Sequence, residues 1–246
     1  MKNYNITQLH PESAFKNHVF HRDMFAHYLR WTHVLKLIKP GQTVLDFGCG
    51  NGNLYATLYH NMHVPGKFVG LDVRKQTIER NRVKHPKAIW EVQDLVNIDQ
   101  GFGTNWDFIT SFEVAEHVGR SNVPKFLDNI KDNCNPETVV LLSTPCYDEK
   151  VGAADNHTYD FGDGRGVASQ ELTRDEMKNL LDQRFKVIAS YGTFASIKDY
   201  KDKLTTSELE VFEKLSKYYD LNLTSVIFAP LVPEHSRNNL WVCQLK

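Results

Sequence analysis

Val44-Leu45-Asp46-Phe47-Gly48-Cys49-Gly50-Asn51-Gly52-Asn53-Leu54 runs from a short apolar segment directly into three glycines spaced two apart. Thr43–Phe47 reads as a buried strand entered from the Pro40-Gly41 turn. The glycines read as a sharp bend out of that strand, because a residue without a Cβ obstructs neither the backbone nor a ligand approaching it. Working outward, short strands are expected at Lys67–Asp72, Ala88–Gln93, Trp106–Phe112 and Thr138–Ser143, with helical periodicity between them. Val123, Phe126, Leu127 and Ile130 illustrate that periodicity at i, i+3, i+4 and i+7 behind a Ser121 cap. Strands and helices alternating at intervals too long for hairpins imply parallel strands with crossover helices. The expected fold is an α/β, doubly wound, seven-stranded, mostly parallel sheet that binds ligands at the carboxyl ends of its strands.

The flanks extend this plan. Met24, Phe25, Tyr28, Leu29 and Leu35 suggest an amino-terminal helical cover over residues 1–39. Thr173-Arg174-Asp175-Glu176 is a capping box ahead of Met177, Leu180 and Leu181, and Phe185–Ser190 looks like a further strand. A second box, Ser207-Glu208-Leu209-Glu210, opens a helix bearing Phe212, Leu215 and Tyr219, and the last strand is expected at Leu240–Leu245. One domain over 1–246 follows, with a core sheet in 40–194 and 238–246. Residues 195–237 form an insertion too long for an ordinary connection, which suggests a functional cover.

The chain has 246 residues, and 29 Lys plus Arg against 30 Asp plus Glu leave a net charge of −1, so no global field draws it to phosphate backbones. No apolar run approaches the ~20 residues that span a bilayer. The first residues lack the apolar core of a signal peptide, so a cytoplasmic product is expected. Cys49, Cys134, Cys146 and Cys243 form no CxxC pair, so reduced thiols are expected rather than a disulfide framework or zinc knuckle. His10, His18, His21, His27 and His33 do not repeat at i, i+4, and no metal site is expected there.

Acidic residues accompany the glycine bend. Asp72 in Gly70-Leu71-Asp72-Val73 ends the second strand, where its two oxygens can accept both hydroxyls of a ribose. Asp94 in Val92-Gln93-Asp94-Leu95 ends the third, within reach of an amino group such as that of adenine. Asp46 precedes the glycines and suits a positively charged amino acid moiety. A dinucleotide-binding bend would carry its third glycine at 53, where Asn53 stands, which disfavours a nicotinamide-dependent oxidoreductase.

The order and spacing of these pieces, over about residues 40–145, resemble class I S-adenosylmethionine-dependent methyltransferases. The resemblance implies S-adenosyl-L-methionine as cofactor. Asp46, Gly48, Gly50 and Gly52 would hold its methionine part, Asp72 with Val73 its ribose, and Asp94 with Leu95 its adenine. Trp106–Val118 is similar to the family's fourth-strand segment and Val139–Pro145 to its fifth, whose ends face the transferred methyl. Glu113, Glu116 and His117 fall at i, i+3 and i+4, so a helical turn would gather them on one face, where Glu113 or His117 could act as general base.

Two classes are discounted. Ser111-Phe112-Glu113-Val114 lacks the Asp/Asn-Pro-Pro-Tyr/Phe segment of amino-methylating DNA enzymes, and Pro145-Cys146 follows the fifth strand rather than the fourth, unlike the cytosine C5 enzymes. His157, in Asn156-His157-Thr158-Tyr159, is a further catalytic candidate. With Glu113, Glu116 and His117 it would resemble the metal site of enzymes that methylate the 2′-hydroxyl at an RNA 3′ end. Tyr219, His235 and Arg237 in the insertion are candidate substrate contacts. The expected activity is methylation of oxygen or nitrogen on a small-molecule or nucleotide-like acceptor, with no membrane or metal and no favoured nucleic acid. The RNA 2′-O-methyltransferase and a non-catalytic cofactor-binding module are the alternatives.

Overall fold

A computed structural model describes residues 22–98, 100–149, 158–160 and 166–246. His10, His18, His21 and His157 lie outside them. In chain order the elements begin with α1 (Arg22–Leu37), β1 (Thr43–Phe47), α2 (Asn53–His60), β2 (Lys67–Asp72), α3 (Lys75–Lys84), β3 (Ile89–Val92) and β4 (Phe108–Phe112). Then come α4 (Val123–Asp132), β5 (Val139–Pro145), β6 (Thr158–Asp160), β7 (Gly166–Ala168), α5 (Arg174–Asp182) and β8 (Phe185–Phe194). The chain closes with α6 (Ile197–Tyr200), α7 (Thr206–Leu215), α8 (Leu221–Phe228) and β9 (Asn238–Leu245).

Seven strands form one sheet in the order β3-β2-β1-β4-β5-β9-β8. The β1–β2, β1–β4, β2–β3 and β4–β5 pairs are parallel. The chain first grows outward from β1 through β2 to β3, then returns to lay β4 and β5 on the other side. That reversal opens a crevice beyond the carboxyl ends of β1 and β4, where a doubly wound sheet takes its ligands. β6 and β7 pair antiparallel as a separate two-stranded ribbon.

The chain divides into two compact units, one of Val34–Ala189 with Trp241–Lys246, the other joining residues up to His33 with Ser190–Leu240. In the first, Val123, Phe126, Leu127 and Ile130 of α4 are all fully buried against a core that includes Leu45, Phe47, Leu71, Ile109 and Leu142. Such burial contributes about 1.5–3 kcal/mol per large apolar side chain. The cap expected from Ser121 is absent: Arg120–Asn122 form a 3₁₀ turn and Pro124 sits in the first turn of α4, where its missing N–H is harmless.

In the second unit, α6, α7 and α8 bury Tyr200, Phe212, Phe228 and Val232 together, and the Tyr200 hydroxyl donates to the Ser225 carbonyl at 2.7 Å. The cap of α7 is Thr205 rather than Ser207. Its hydroxyl accepts from the Glu208 amide while the Glu208 carboxylate accepts from the Thr205 amide at 2.8 Å. Two overlapping boxes are available in this sequence, and the earlier one adds two residues to the helix.

Trp90, buried on β3, lies beneath β2, and a Cβ at Gly70 would fall 2.6 Å from its ring carbons. Gly70→Ala is expected to lower stability by about 1–3 kcal/mol through overpacking, read as a reduced midpoint in urea unfolding.

Candidate functional site

The glycine bend is a continuation of β1 that stays tied to its neighbour. The amides of Gly48 and Cys49 both donate to the Leu71 carbonyl at 2.8 Å, so the backbone turns while still bonded to β2. Gly48, Gly50 and Gly52 have φ of +87°, +50° and +74°. Their surroundings differ. A Cβ at Gly48 would lie 2.2 Å from a Val114 methyl, and one at Gly52 would lie 3.0 Å from the Trp90 ring. At Gly50 the only neighbour within 4 Å among the described residues is Arg74 Nη2 at 3.6 Å. Gly48 and Gly52 are therefore required by packing as well as by conformation, and Gly50 alone leaves an open surface against which a ligand can lie.

Asp72, buried at the end of β2, grips this bend. Its Oδ2 accepts from the Gly50 amide at 3.0 Å, and its Oδ1 from the Arg74 amide at 2.9 Å. The Arg74 guanidinium covers both oxygens, from Nε at 3.1 Å and from Nη2 at 3.3 Å. These four donors fill the roughly four acceptor positions of a carboxylate. The Arg74 side chain is 25% exposed, so it can withdraw to water and leave two positions to ligand hydroxyls.

Asp46, next to the carboxyl end of β1, is buried and accepts from the Thr110 hydroxyl at 2.7 Å. The parallel register places Thr110 directly opposite it. Burial pushes the Asp46 carboxyl up to about 7, the Thr110 hydrogen bond opposes the rise, and the neighbouring Asp72 charge adds to it. A carboxyl so desolvated gains from an adjacent cation.

Asp94 is exposed after β3. Its Oδ1 accepts from the Val96 amide at 2.9 Å and its Oδ2 from the Asn97 side-chain amide at 3.0 Å, so the carboxylate also shapes its own turn. Leu95 turns into the core, and Val73 is partly buried between Asp72 and α3.

Across the crevice, Glu113 follows β4 with φ +57°, a left-handed backbone that non-glycine residues rarely adopt. Its amide donates to the Ser143 carbonyl at 2.9 Å, and its carboxylate accepts from the Ser143 hydroxyl at 2.7 Å. A short 3₁₀ turn, Ala115–His117, follows. Glu116 is buried there, accepts from the Thr144 hydroxyl at 2.8 Å, and sits 3.7 Å from His117 Nε2.

The three groups thus do not share one helical face, because Glu113 lies outside the turn. The two carboxylates are anchored instead to consecutive β5 residues, whose side chains alternate between faces of the strand. Among the described residues no group of three or more His, Cys, Asp or Glu is arranged to hold a metal ion. The metal-dependent RNA reading turns on His157, which lies outside them.

In the second unit Tyr219 is 54% exposed, His235 and Arg237 are partly buried, and the Arg237 amide donates to the Phe194 carbonyl at 2.8 Å. His27 and His33, of the amino-terminal histidines, take part in packing: His27 Nδ1 bonds Arg30 at 2.8 Å and His33 stacks on Tyr191.

Sequence reasoning missed Arg74, Asn81 and Thr110, and placed Ser143 and Thr144 on the fifth strand without giving either a role. Asn81 carries a readable signal, being a polar residue in the buried stripe of α3 with Thr77 and Ile78. Thr110 required the strand register.

A family model described as a methyltransferase domain matches residues 20–204. Cyclopropane-fatty-acyl-phospholipid synthase of Escherichia coli (strain K12) is 31% identical over 107 residues, which are 44% of this chain and 27% of that protein. Sphingolipid C9-methyltransferase A of Emericella nidulans is 33% identical over 116 residues, 43% of this chain and 21% of that protein. The chain thus spans about a quarter of the length of these curated relatives. An S-adenosylmethionine-dependent methyltransferase of known structure from Clostridium acetobutylicum ATCC 824 superimposes with a TM-score of 0.60 at 10% identity, covering 98% of each chain. The N-methyltransferase NodS of Bradyrhizobium japonicum WM9, solved with S-adenosyl-L-homocysteine, gives 0.54 at 12% identity over 89% of this chain and 87% of its own. At these identities the structural likeness establishes the fold.

Because the folded state holds the Asp46 proton more tightly than the unfolded chain does, stability falls as pH rises from about 4 through about 7. Asp46→Asn is expected to be the more stable protein at pH 8, by up to about 4 kcal/mol, with the gap closing toward pH 4. Urea unfolding of both proteins across that range measures it.

Proposed function

Since the chain belongs to the methyltransferase-domain family, we propose that it is an S-adenosylmethionine-dependent enzyme whose cofactor is seated on the bend at Gly48, Gly50 and Gly52, and that it methylates a small-molecule acceptor. One observation carries the seat: at the reversal point of the sheet the uncrowded Gly50 is bonded to buried Asp72 and follows β1, which carries the buried Asp46. The residues fit the group. Asp72, beside Val73, offers acceptors to a ribose once Arg74 withdraws. Asp46 offers a desolvated carboxylate to the cationic amino acid end, and Asp94 with Leu95 borders the adenine.

Bound S-adenosylmethionine supplies an already activated methyl, so the chain's own task is to align a nucleophile and keep water away. Glu113 and His117, near the ends of β4 and β5, are the proposed groups for accepting the proton of an acceptor hydroxyl or amine, with His157 as a third. Ser143 holds the Glu113 carboxylate at 2.7 Å and so restricts where it can point. A second reading, a lipid-like acceptor, is favoured by the names of both curated relatives.

Calorimetry is expected to show S-adenosylmethionine binding that weakens about 100-fold in Asp72→Ala, the loss of one or two charge-assisted hydrogen bonds. Retained affinity in that variant rejects the ribose assignment. Binding should also tighten as pH rises from 6 to 8, where Asp46 loses its proton, and this dependence should vanish in Asp46→Asn.

For the acceptor, the enzyme is incubated with radiolabelled methyl donor and cell extract separated into polar metabolites, lipids and RNA. Label in the polar fraction supports the main reading, and label in the lipid fraction selects the second. Label confined to RNA, or none in any fraction, overturns both.

A further inference from the structure

We propose that Asn81 is a positioning residue that sets the shape of the glycine bend, a role resting on the reading that this bend seats the cofactor. A residue's backbone conformation is fixed when the peptide planes on both sides of its Cα are fixed. At Gly50 both are held by side chains from outside the bend. On one side the Gly50 amide donates to Asp72 Oδ2 at 3.0 Å, and on the other the Gly50 carbonyl accepts from Asn81 Nδ2 at 2.7 Å. The Cα between them is the one in the bend whose Cβ position a side chain could occupy without a clash, with Arg74 Nη2 at 3.6 Å.

Glycine has more conformational freedom to lose than any other residue, so the bend needs an external device to populate one conformation. Asp72 reaches it from the end of β2, and Asn81 from the second turn of α3. Asn81 is buried on the inner face of α3 beside Ile78, a place where an amide is costly unless bonded. Its amide group spends that burial on the bend: besides the bond to Gly50 it approaches Cys49 Sγ at 4.0 Å, and its Oδ1 lies 3.4 Å from where a Gly52 Cβ would stand. A single side chain thus bonds Gly50, reaches Cys49 and borders the space beside Gly52. The only other donor to the Gly50 carbonyl among the described residues is the weak Cys49 thiol at 3.8 Å.

The test compares the full-length wild type with Asn81→Ala, Asn81→Ser, Asp72→Ala and the core variant Ile130→Val. S-adenosylhomocysteine affinity is measured by calorimetry, and amide exchange is followed in peptides covering residues 44–54 and 139–145. Asn81→Ala is expected to weaken binding at least tenfold and to speed exchange in 44–54 while leaving 139–145 at the wild-type rate. Asn81→Ser, which retains a shorter donor, should fall between the two and serves if the alanine variant does not fold. Ile130→Val, a destabilising change elsewhere in the same core, should leave affinity within twofold.

Loss of affinity in Asp72→Ala with unchanged affinity and exchange in both Asn81 variants overturns the role of Asn81 and leaves the cofactor seat standing. Equal acceleration of exchange in both peptides also overturns it, since that is what loss of a purely structural bond produces. Unchanged affinity in Asp72→Ala and both Asn81 variants removes the seat itself, and the positioning role with it.

Discussion

The bond from the Gly50 amide to the Asp72 carboxylate is the constraint on which the site depends, because it joins the ends of two adjacent parallel strands through a residue that has no side chain. Parallel pairing delivers the two groups to the same end of the sheet. The amides of Gly48 and Cys49 keep β1 bonded to Leu71 while the chain turns, so Asp72 meets the bend one residue further on. A carboxylate buried in this way has to be saturated with donors. Gly50 and Arg74 supply them, the Arg74 guanidinium from a side chain that is 25% exposed.

The same requirement explains the contrast between the two buried acids. Asp72 has a guanidinium beside it, whereas Asp46 has one neutral hydroxyl from Thr110 and a negative neighbour in Asp72. A carboxyl in the second environment is held near neutrality of charge until a cation arrives. The site therefore stores a preference for positive charge beside the glycine bend at some cost in folding free energy above neutral pH, in keeping with the concentration of perturbed acids at functional sites.

Most of the sheet was legible because its signals are local. A buried strand needs only a few consecutive apolar residues, and the five strands from β1 to β5 fall where the apolar runs lie, their ends moving by one or two residues. Trp106 is left outside β4, its indole donating to the Gly103 carbonyl at 2.9 Å. Strands β8 and β9 run longer than their apolar cores, to Phe194 and from Asn238, because pairing continues through polar residues such as Thr193 and Asn238, whose side chains bond each other at 2.9 Å. What could not be read is non-local: Thr110 opposite Asp46, Asn81 on the Gly50 carbonyl, and Ser143 on Glu113. Each depends on register or helix docking, which a single sequence does not encode at any fixed spacing. The choice between Thr205 and Ser207 as helix cap failed for the opposite reason, since both satisfy the same local pattern.

Gly48 shows how the two sides of the crevice are mechanically joined. The space its Cβ would fill is taken by the Val114 side chain, 2.2 Å from that position, and Val114 is delivered there by Glu113, whose backbone is left-handed. A left-handed non-glycine residue costs on the order of 1 kcal/mol or more and persists only where its surroundings hold it. Here the holding contacts are the Ser143 carbonyl and hydroxyl, both bonded to Glu113. The strain at Glu113 thus seats Val114 against the glycine bend and at the same time turns the Glu113 carboxylate toward β5. A β-carbon at position 48 would push on Val114, and through it on the Glu113 carboxylate that Ser143 of β5 holds. The first glycine of the bend is in this sense part of the opposite wall.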